Sequence, residues 1–97
     1  MNKNIIRIAE HYGWDAQAVQ TMEECAELIQ ALSKSARANT ADDIADAAEH
    51  IKEEIADLEI MVEQIKYMLN MSDADIDEIK EQKIARQIER INREKET

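Results

Sequence analysis

Hydrophobic positions recur every three or four residues through most of the chain, the spacing of helices with one apolar side. Ile5, Ile6, Ile8 and Ala9 cluster on one side of residues 2–12, which predicts a short helix ended by Gly13. Asp15 is the expected N-cap of a long second helix reaching about Arg37, with a stripe of Val19, Met22, Cys25, Ala26, Leu28, Ile29 and Leu32. Ala38-Asn39-Thr40 breaks the period. Thr40 or Asp42 then caps a third helix to about Asn70, striped by Ile44, Ile51, Ile55, Leu58, Val62, Ile65 and Leu69. After a break at Met71-Ser72, Ser72 or Asp73 caps a fourth helix whose first turn holds Asp73, Asp75, Asp77 and Glu78, where the helix dipole favours negative charge. This last helix is less regular: Ile76 and Ile79 lie on one side, Ile84, Ile88 and Ile91 on another, and Lys83, Arg86 and Arg90 continue the first.

Composition sharpens that pattern into a fold class. One Gly, no Pro and only three aromatic residues leave little with which to build strands and tight turns, so the chain reads as all-α, a single domain over 1–97. An apolar content of 44% suffices for a modest core, but a protomer this small buries surface poorly. Association into a dimer or larger assembly is the expected remedy. The lone Cys25 falls within an apolar stripe, where it reads as small core packing. It excludes an intrachain disulfide and fits a reducing cytoplasm. No apolar run reaches the roughly 18 residues of a membrane span, and the N-terminus lacks the hydrophobic core of a signal peptide, so a soluble cytoplasmic protein is expected.

The formal net charge of −10 argues against nonspecific binding to nucleic acid or to an anionic membrane. The charge is uneven: residues 1–79 carry 18 acidic and 6 basic side chains, the last 18 residues 4 and 6. Two acidic clusters stand out, Glu23-Glu24-Cys25-Ala26-Glu27 on the second helix and Glu54-Ile55-Ala56-Asp57 on the third. Each contains carboxylates three apart, which project from one side of a helix. Glu54 lies about 20–40° from Leu58 and Ile65 around the helix, and Glu24 about 40° from Leu28, so both sit at an apolar edge. Glu49, Glu53, Glu59 and Glu63 point further away, as solvated charge should.

Carboxylates gathered at the edge of a core repel one another and lose hydration, and a hard divalent cation relieves both penalties. Glu24, Glu27, Glu54 and Asp57 suit Mg²⁺, which takes oxygen ligands and keeps positions for water or phosphate. One Cys and two scattered His do not make a zinc site. Neither His11 nor His50 has a Glu three residues before it, so the di-iron carboxylate pattern is absent, as is any glycine-rich phosphate loop. With a metal on the phosphates of a substrate, the protein has water to position and activate, a task Glu23 could take as general base; the alternative is a surface Glu. Gln17, Gln20 and Lys34 share the broad side of Glu24 and Glu27, where amides could read a base or sugar and Lys34 could neutralise phosphate; the alternative is exposed polar filler. Trp14 at the helix corner reads as a buried anchor, with a nucleobase contact as the alternative. His50 shares the face of Glu54 and Asp57, either as an ordinary half-exposed histidine or behind the ligands.

These residues resemble the MazG-like all-α nucleoside triphosphate pyrophosphohydrolases, most closely the short, phage-like single-domain members. The family pattern is Glu-Glu-x-x-Glu on one helix and Glu-x-x-Asp on the next, here Glu23, Glu24, Glu27 and then Glu54, Asp57, with 26 residues (28–53) between them. The likeness spans roughly Tyr12 to Arg90. It implies hydrolysis of a nucleoside or deoxynucleoside triphosphate to the monophosphate and pyrophosphate with Mg²⁺, for which Mn²⁺ could substitute. Glu24, Glu27, Glu54 and Asp57 would be metal ligands and Glu23 would stand near the attacking water. Lys83 and Arg86 would meet phosphate, from a neighbouring protomer. A homodimer or homotetramer is implied, in which long antiparallel helices of two chains complete a four-helix unit.

Phosphoribosyl-ATP pyrophosphohydrolases share this helical fold, but they tend to carry an aromatic-His pair soon after the Asp, where this chain reads Leu58-Glu59-Ile60-Met61. A rival of another class is a non-enzymatic acidic helical module that binds a partner protein through its apolar faces. In that reading the carboxylates are only solubilising charge.

Overall fold

A computed structural model describes residues 1–96; Thr97, the end of the single domain expected from the sequence, lies outside the described residues. Four helices follow in order: α1 (Lys3–Tyr12), α2 (Trp14–Ala36), α3 (Ala41–Met68) and α4 (Asp73–Lys95). The described residues contain no strand, as the all-α reading requires. None of the helices is long and apolar enough to cross a membrane.

Local chemistry sets the boundaries. Asn2 accepts the backbone N–H of Asn4, and Thr40 accepts that of Asp43 at 3.0 Å, each satisfying a donor the first helical turn leaves free. Ser72 and Asp75 form a reciprocal capping box at the start of α4. One residue, Gly13, both ends α1 and begins α2: its N–H donates to Ala9 and its carbonyl accepts from Gln17. Its φ of 84° is a conformation that L side chains rarely adopt. The N-cap of α2 is therefore Gly13 rather than Asp15, which falls in the first turn and faces the helix dipole there.

At the other corner Asn70 has φ 56°, the N–H of Met71 donates to the Lys66 carbonyl at 2.8 Å and that of Asn70 to Tyr67 at 3.1 Å. This is the double bond of a Schellman turn, with Asn in place of the usual glycine. Asn70→Gly should leave stability unchanged or slightly raised, whereas Asn70→Val should lower it by about 1–2 kcal/mol in urea unfolding, because a β-branched side chain pays the full left-handed penalty. Lys66 ties the corner by reaching Asp73 at 2.8 Å and Glu63 at 3.3 Å. The hydrogen bond with Asp73 raises the Lys66 ammonium above its usual value, and the same contact holds Asp73 below 3.8. A depressed carboxylate lends stability above its unfolded value and loses it as pH falls through its folded one. The difference in unfolding midpoint between the parent and Lys66→Met should therefore be present at neutral pH and close below 3.8.

α2 and α3 pack as an antiparallel hairpin, and α1 lies alongside the C-terminal half of α3, where Tyr67 donates to Glu10. The contact line on α2 is Gln17, Thr21, Glu24, Leu28, Ala31 and Ser35, continued past the helix end by Ala38. On α3 it is Ala47, Ile51, Glu54, Leu58, Met61, Ile65 and Met68; all fourteen are buried or half-buried. Both lines step by alternating fours and threes, the 3.5-residue repeat of a coiled-coil seam. Gln17 and Gln64 close one end of the hairpin. Both are buried, and the Gln17 amide donates to the Gln64 carbonyl oxygen at 2.7 Å. Gln64→Ala would strand a buried amide and should cost about 2–3 kcal/mol in denaturant unfolding, with a smaller loss in Gln17→Ala/Gln64→Ala than the two single effects added.

The seam is not the stripe the polarity pattern suggests for α2. Of that stripe only Leu28 lies on the seam, while Val19, Met22, Cys25, Ala26, Ile29 and Leu32 are exposed. Cys25 is thus not core packing, and Trp14, 44% exposed, is not a buried anchor. On α3, Ile51, Leu58 and Ile65 join the seam, but Ile44, Ile55, Val62 and Leu69 face outward. The apolar arc of each helix is wider than one neighbour covers, and the hairpin closes on the edge that carries Glu24 and Glu54.

α4 packs against none of the other helices and has no buried residue; Ile79, Ile84, Ile88 and Ile91 are all exposed. Only Ala9, Ala31 and Met61 form a fully buried apolar core among the described residues. The accessible surface is 7679 Å², against about 5,700 Å² for a compact monomer of 11.2 kDa. The radius of gyration is 17.4 Å, where a compact domain of this length has about 13 Å. The core within one protomer is small, in line with the expectation that a chain this size buries surface poorly by itself, and much of the apolar surface has no neighbour to meet.

Candidate metal centre

The seam brings two carboxylates to the interface of α2 and α3. Glu24 sits one turn before Leu28, and Glu54 one turn before Leu58, so folding of the hairpin carries both inward along with their apolar neighbours. Glu54 is only 7% exposed. Glu27, three residues after Glu24 and at the edge of the seam, joins them: one carboxylate oxygen from each of Glu24, Glu27 and Glu54 lies within 4.8 Å of the other two.

The two inner carboxylates are held in the same manner. Gln20, one turn before Glu24, donates its amide to Glu24 Oε1 at 2.9 Å. His50, one turn before Glu54, places Nε2 3.3 Å from Glu54 Oε1. In each case the second oxygen, Oε2, is buried and meets no hydrogen-bond donor. An oriented carboxylate with one oxygen engaged and the other buried without a donor is costly unless a cation faces it. Two such groups converge with the exposed carboxylate of Glu27, and hard oxygen donors are the set that Mg²⁺ or Mn²⁺ takes. The residues fit a divalent cation, with Gln20 and His50 as the groups that orient its ligands.

Asp57 is exposed and is not part of the converging group. Glu23 is exposed on α2 beside Glu24. Gln20 touches a ligand directly, whereas Gln17 is turned inward to Gln64. Trp14 is exposed at the start of α2, and Lys34 is exposed two turns beyond Glu27. Lys83 and Arg86 are exposed on α4, which does not approach α2, so one protomer does not bring them to the carboxylates. The polarity pattern placed His50 on the face of Glu54, and the i, i+4 spacing was the signal for their contact. Gln64 was missed; a polar residue between Met61 and Ile65 gives no hint that its partner is a glutamine 47 positions earlier.

No protein-family model, curated protein or solved structure matches the chain.

Proposed function

We propose that the chain is a Mg²⁺-dependent nucleoside triphosphate pyrophosphohydrolase that works as a homo-oligomer. The observation that carries this reading is the pair of buried, donorless oxygens on Glu24 and Glu54, two carboxylates that converge across the hairpin with Glu27. Solubilising charge would lie on the outer face, where Glu49, Glu53 and Glu59 do lie. Glu24, Glu27 and Glu54 would hold the cation, and Asp57, one turn after Glu54, would swing in to join them on loading. A divalent cation at such a site supplies charge neutralisation for a polyphosphate and lowers the cost of deprotonating water.

The chain's own groups do the rest. Glu23 is solvent-accessible next to a ligand position and would accept a proton from water at its carboxylate. Gln20 and His50 keep the ligand oxygens in place through the reaction. Attack at the α-phosphorus and departure of the terminal two phosphates would yield a monophosphate and pyrophosphate. The pattern of carboxylates and their spacing support this choice of reaction, and pool sanitation is the role it would suit.

The surface excess supports the oligomer. About 2,000 Å² beyond that of a compact monomer exceeds the roughly 800 Å² per partner of a standard interface. Its apolar parts are the outer stripe of α2 and α3 and the isoleucine edge of α4. The occupant is a second copy, since the stretch from Lys80 onward, with six basic and four acidic side chains, is locally basic in an acidic chain and complements the surfaces it would cover. That arrangement would deliver Lys83 and Arg86 to a partner's carboxylate site.

The direct test is a panel of standard and modified nucleoside triphosphates, assayed for pyrophosphate release with millimolar Mg²⁺. At least one should be cleaved at the α–β bond, and chelation should stop the reaction. Cleavage of none would overturn the hydrolase reading.

A further inference from the structure

We infer that the loop end of the α2–α3 hairpin seats the terminal phosphate of the substrate, gripped by Lys34 and Arg37; this rests on the hydrolase reading. A cavity of about 360 Å³ lies there. Ala31 and Ala47, both on the seam, form its floor, and their small side chains are what leaves room between the helices. Lys34 and Arg37 make the α2 wall, and Asp43, Asp46 and His50 make the α3 wall.

Two features point to an anionic ligand. Where a carboxylate is in reach a lysine of this chain takes it, as Lys52 does Glu49 at 2.7 Å and Lys66 does Asp73 at 2.8 Å. Lys34 and Arg37 form no ion pair among the described residues although two aspartates line the same cavity; Arg37 donates only to the Ser33 hydroxyl, at 3.1 Å. An Arg fork next to a Lys point charge is the arrangement that takes phosphate oxygens.

The cavity also neighbours the carboxylates, through His50. Lys34 follows Glu27 by seven residues, on nearly the same side of α2 and about 10 Å along its axis. On the facing helix His50 lines the cavity and lies 3.3 Å from Glu54. A polyphosphate held at the carboxylate end therefore runs its tail toward Lys34 and Arg37, and the cavity measures whether a third phosphate is there. With two cations opposed by two carboxylates the pocket is neutral overall, which favours a metal-neutralised tail over a free anion.

The experiment compares the parent with Lys34→Gln, Arg37→Gln and the double variant. Both side chains are exposed, so unfolding midpoints should stay unchanged. Steady-state hydrolysis is measured for the tri- and diphosphate of one nucleoside, and Mg²⁺-pyrophosphate binding by calorimetry. Each substitution should lower kcat/KM for the triphosphate about 10-fold, spare the diphosphate, and weaken pyrophosphate binding by a like factor. Variants that keep both the parent's preference for triphosphate and its pyrophosphate affinity overturn the assignment, and equal losses on tri- and diphosphate overturn it in favour of a nucleoside seat. A parent that cleaves no triphosphate defeats the hydrolase reading instead, and the pyrophosphate calorimetry then still decides for or against the pocket.

Discussion

Glu54→Gln should make the metal-free protein more stable while abolishing its activity. The glutamine keeps the shape of the buried side chain and the approach of His50, but it removes a charge whose Oε2 has no donor. Relief of that burial should add about 1–3 kcal/mol to unfolding in chelator. The same change deletes one of three converging oxygens, so pyrophosphate release should fall at least about 100-fold, beyond the cost usual for a residue that only orients a ligand. Opposite signs for stability and activity mark a group retained for a ligand rather than for the fold. Urea unfolding in chelator and a pyrophosphate assay, run on one preparation, read both. A variant that is destabilised in chelator would mean that Glu54 has a structural partner instead.

Ile84→Asp/Ile88→Asp should dissociate the proposed homo-oligomer without unfolding α1–α3. These two side chains, 61% and 52% exposed in the protomer, lie one turn apart on α4. Covering an isoleucine contributes about 1.5–3 kcal/mol, so losing two, and placing two charges in an apolar contact, should weaken self-association at least about 100-fold. Sedimentation at micromolar concentration would read the change as a shift from oligomer to monomer. Activity should fall with it, because Lys83 and Arg86 would no longer reach a partner's site. A parent that sediments as a monomer would remove the oligomer from the account. It would also leave a 23-residue helix that packs on no other helix and is tied to the hairpin through the Lys66–Asp73 ion pair at its first turn.

The helices and their breaks were legible because their causes are local. Thr40 and Ser72 cap as a reader of short polar signals expects, and Gly13 stops α1 through its own backbone. The burial of Glu54, though not the role given to Asp57, was legible for a related reason: Glu54 lies within 40° of Leu58, so any helix that buries Leu58 buries Glu54 too. What remained hidden was the choice between two apolar edges. Val19, Met22, Ile29 and Leu32 are more hydrophobic than Gln17, Thr21, Glu24 and Ala31, and hydrophobicity alone assigns the first set to the core. The hairpin closes on the second set, whose small and polar residues let two helices approach and let Gln17 meet Gln64. The more hydrophobic edge is left for a neighbour that one chain does not supply. Asp57 shows the limit of spacing as an argument, since Glu27, three residues after Glu24, joins the converging oxygens while Asp57, three residues after Glu54, does not.

Mn²⁺ binding, followed by loss of the free-ion paramagnetic resonance signal, tests the proposed centre most directly, since it requires neither a substrate nor an oligomer. Titration of the parent should show saturable binding that Mg²⁺ competes away and that is lost in Glu54→Gln and Glu24→Gln. Weak, unsaturable binding equal in the parent and both variants would reduce the carboxylates of the seam to surface charge and contradict the account.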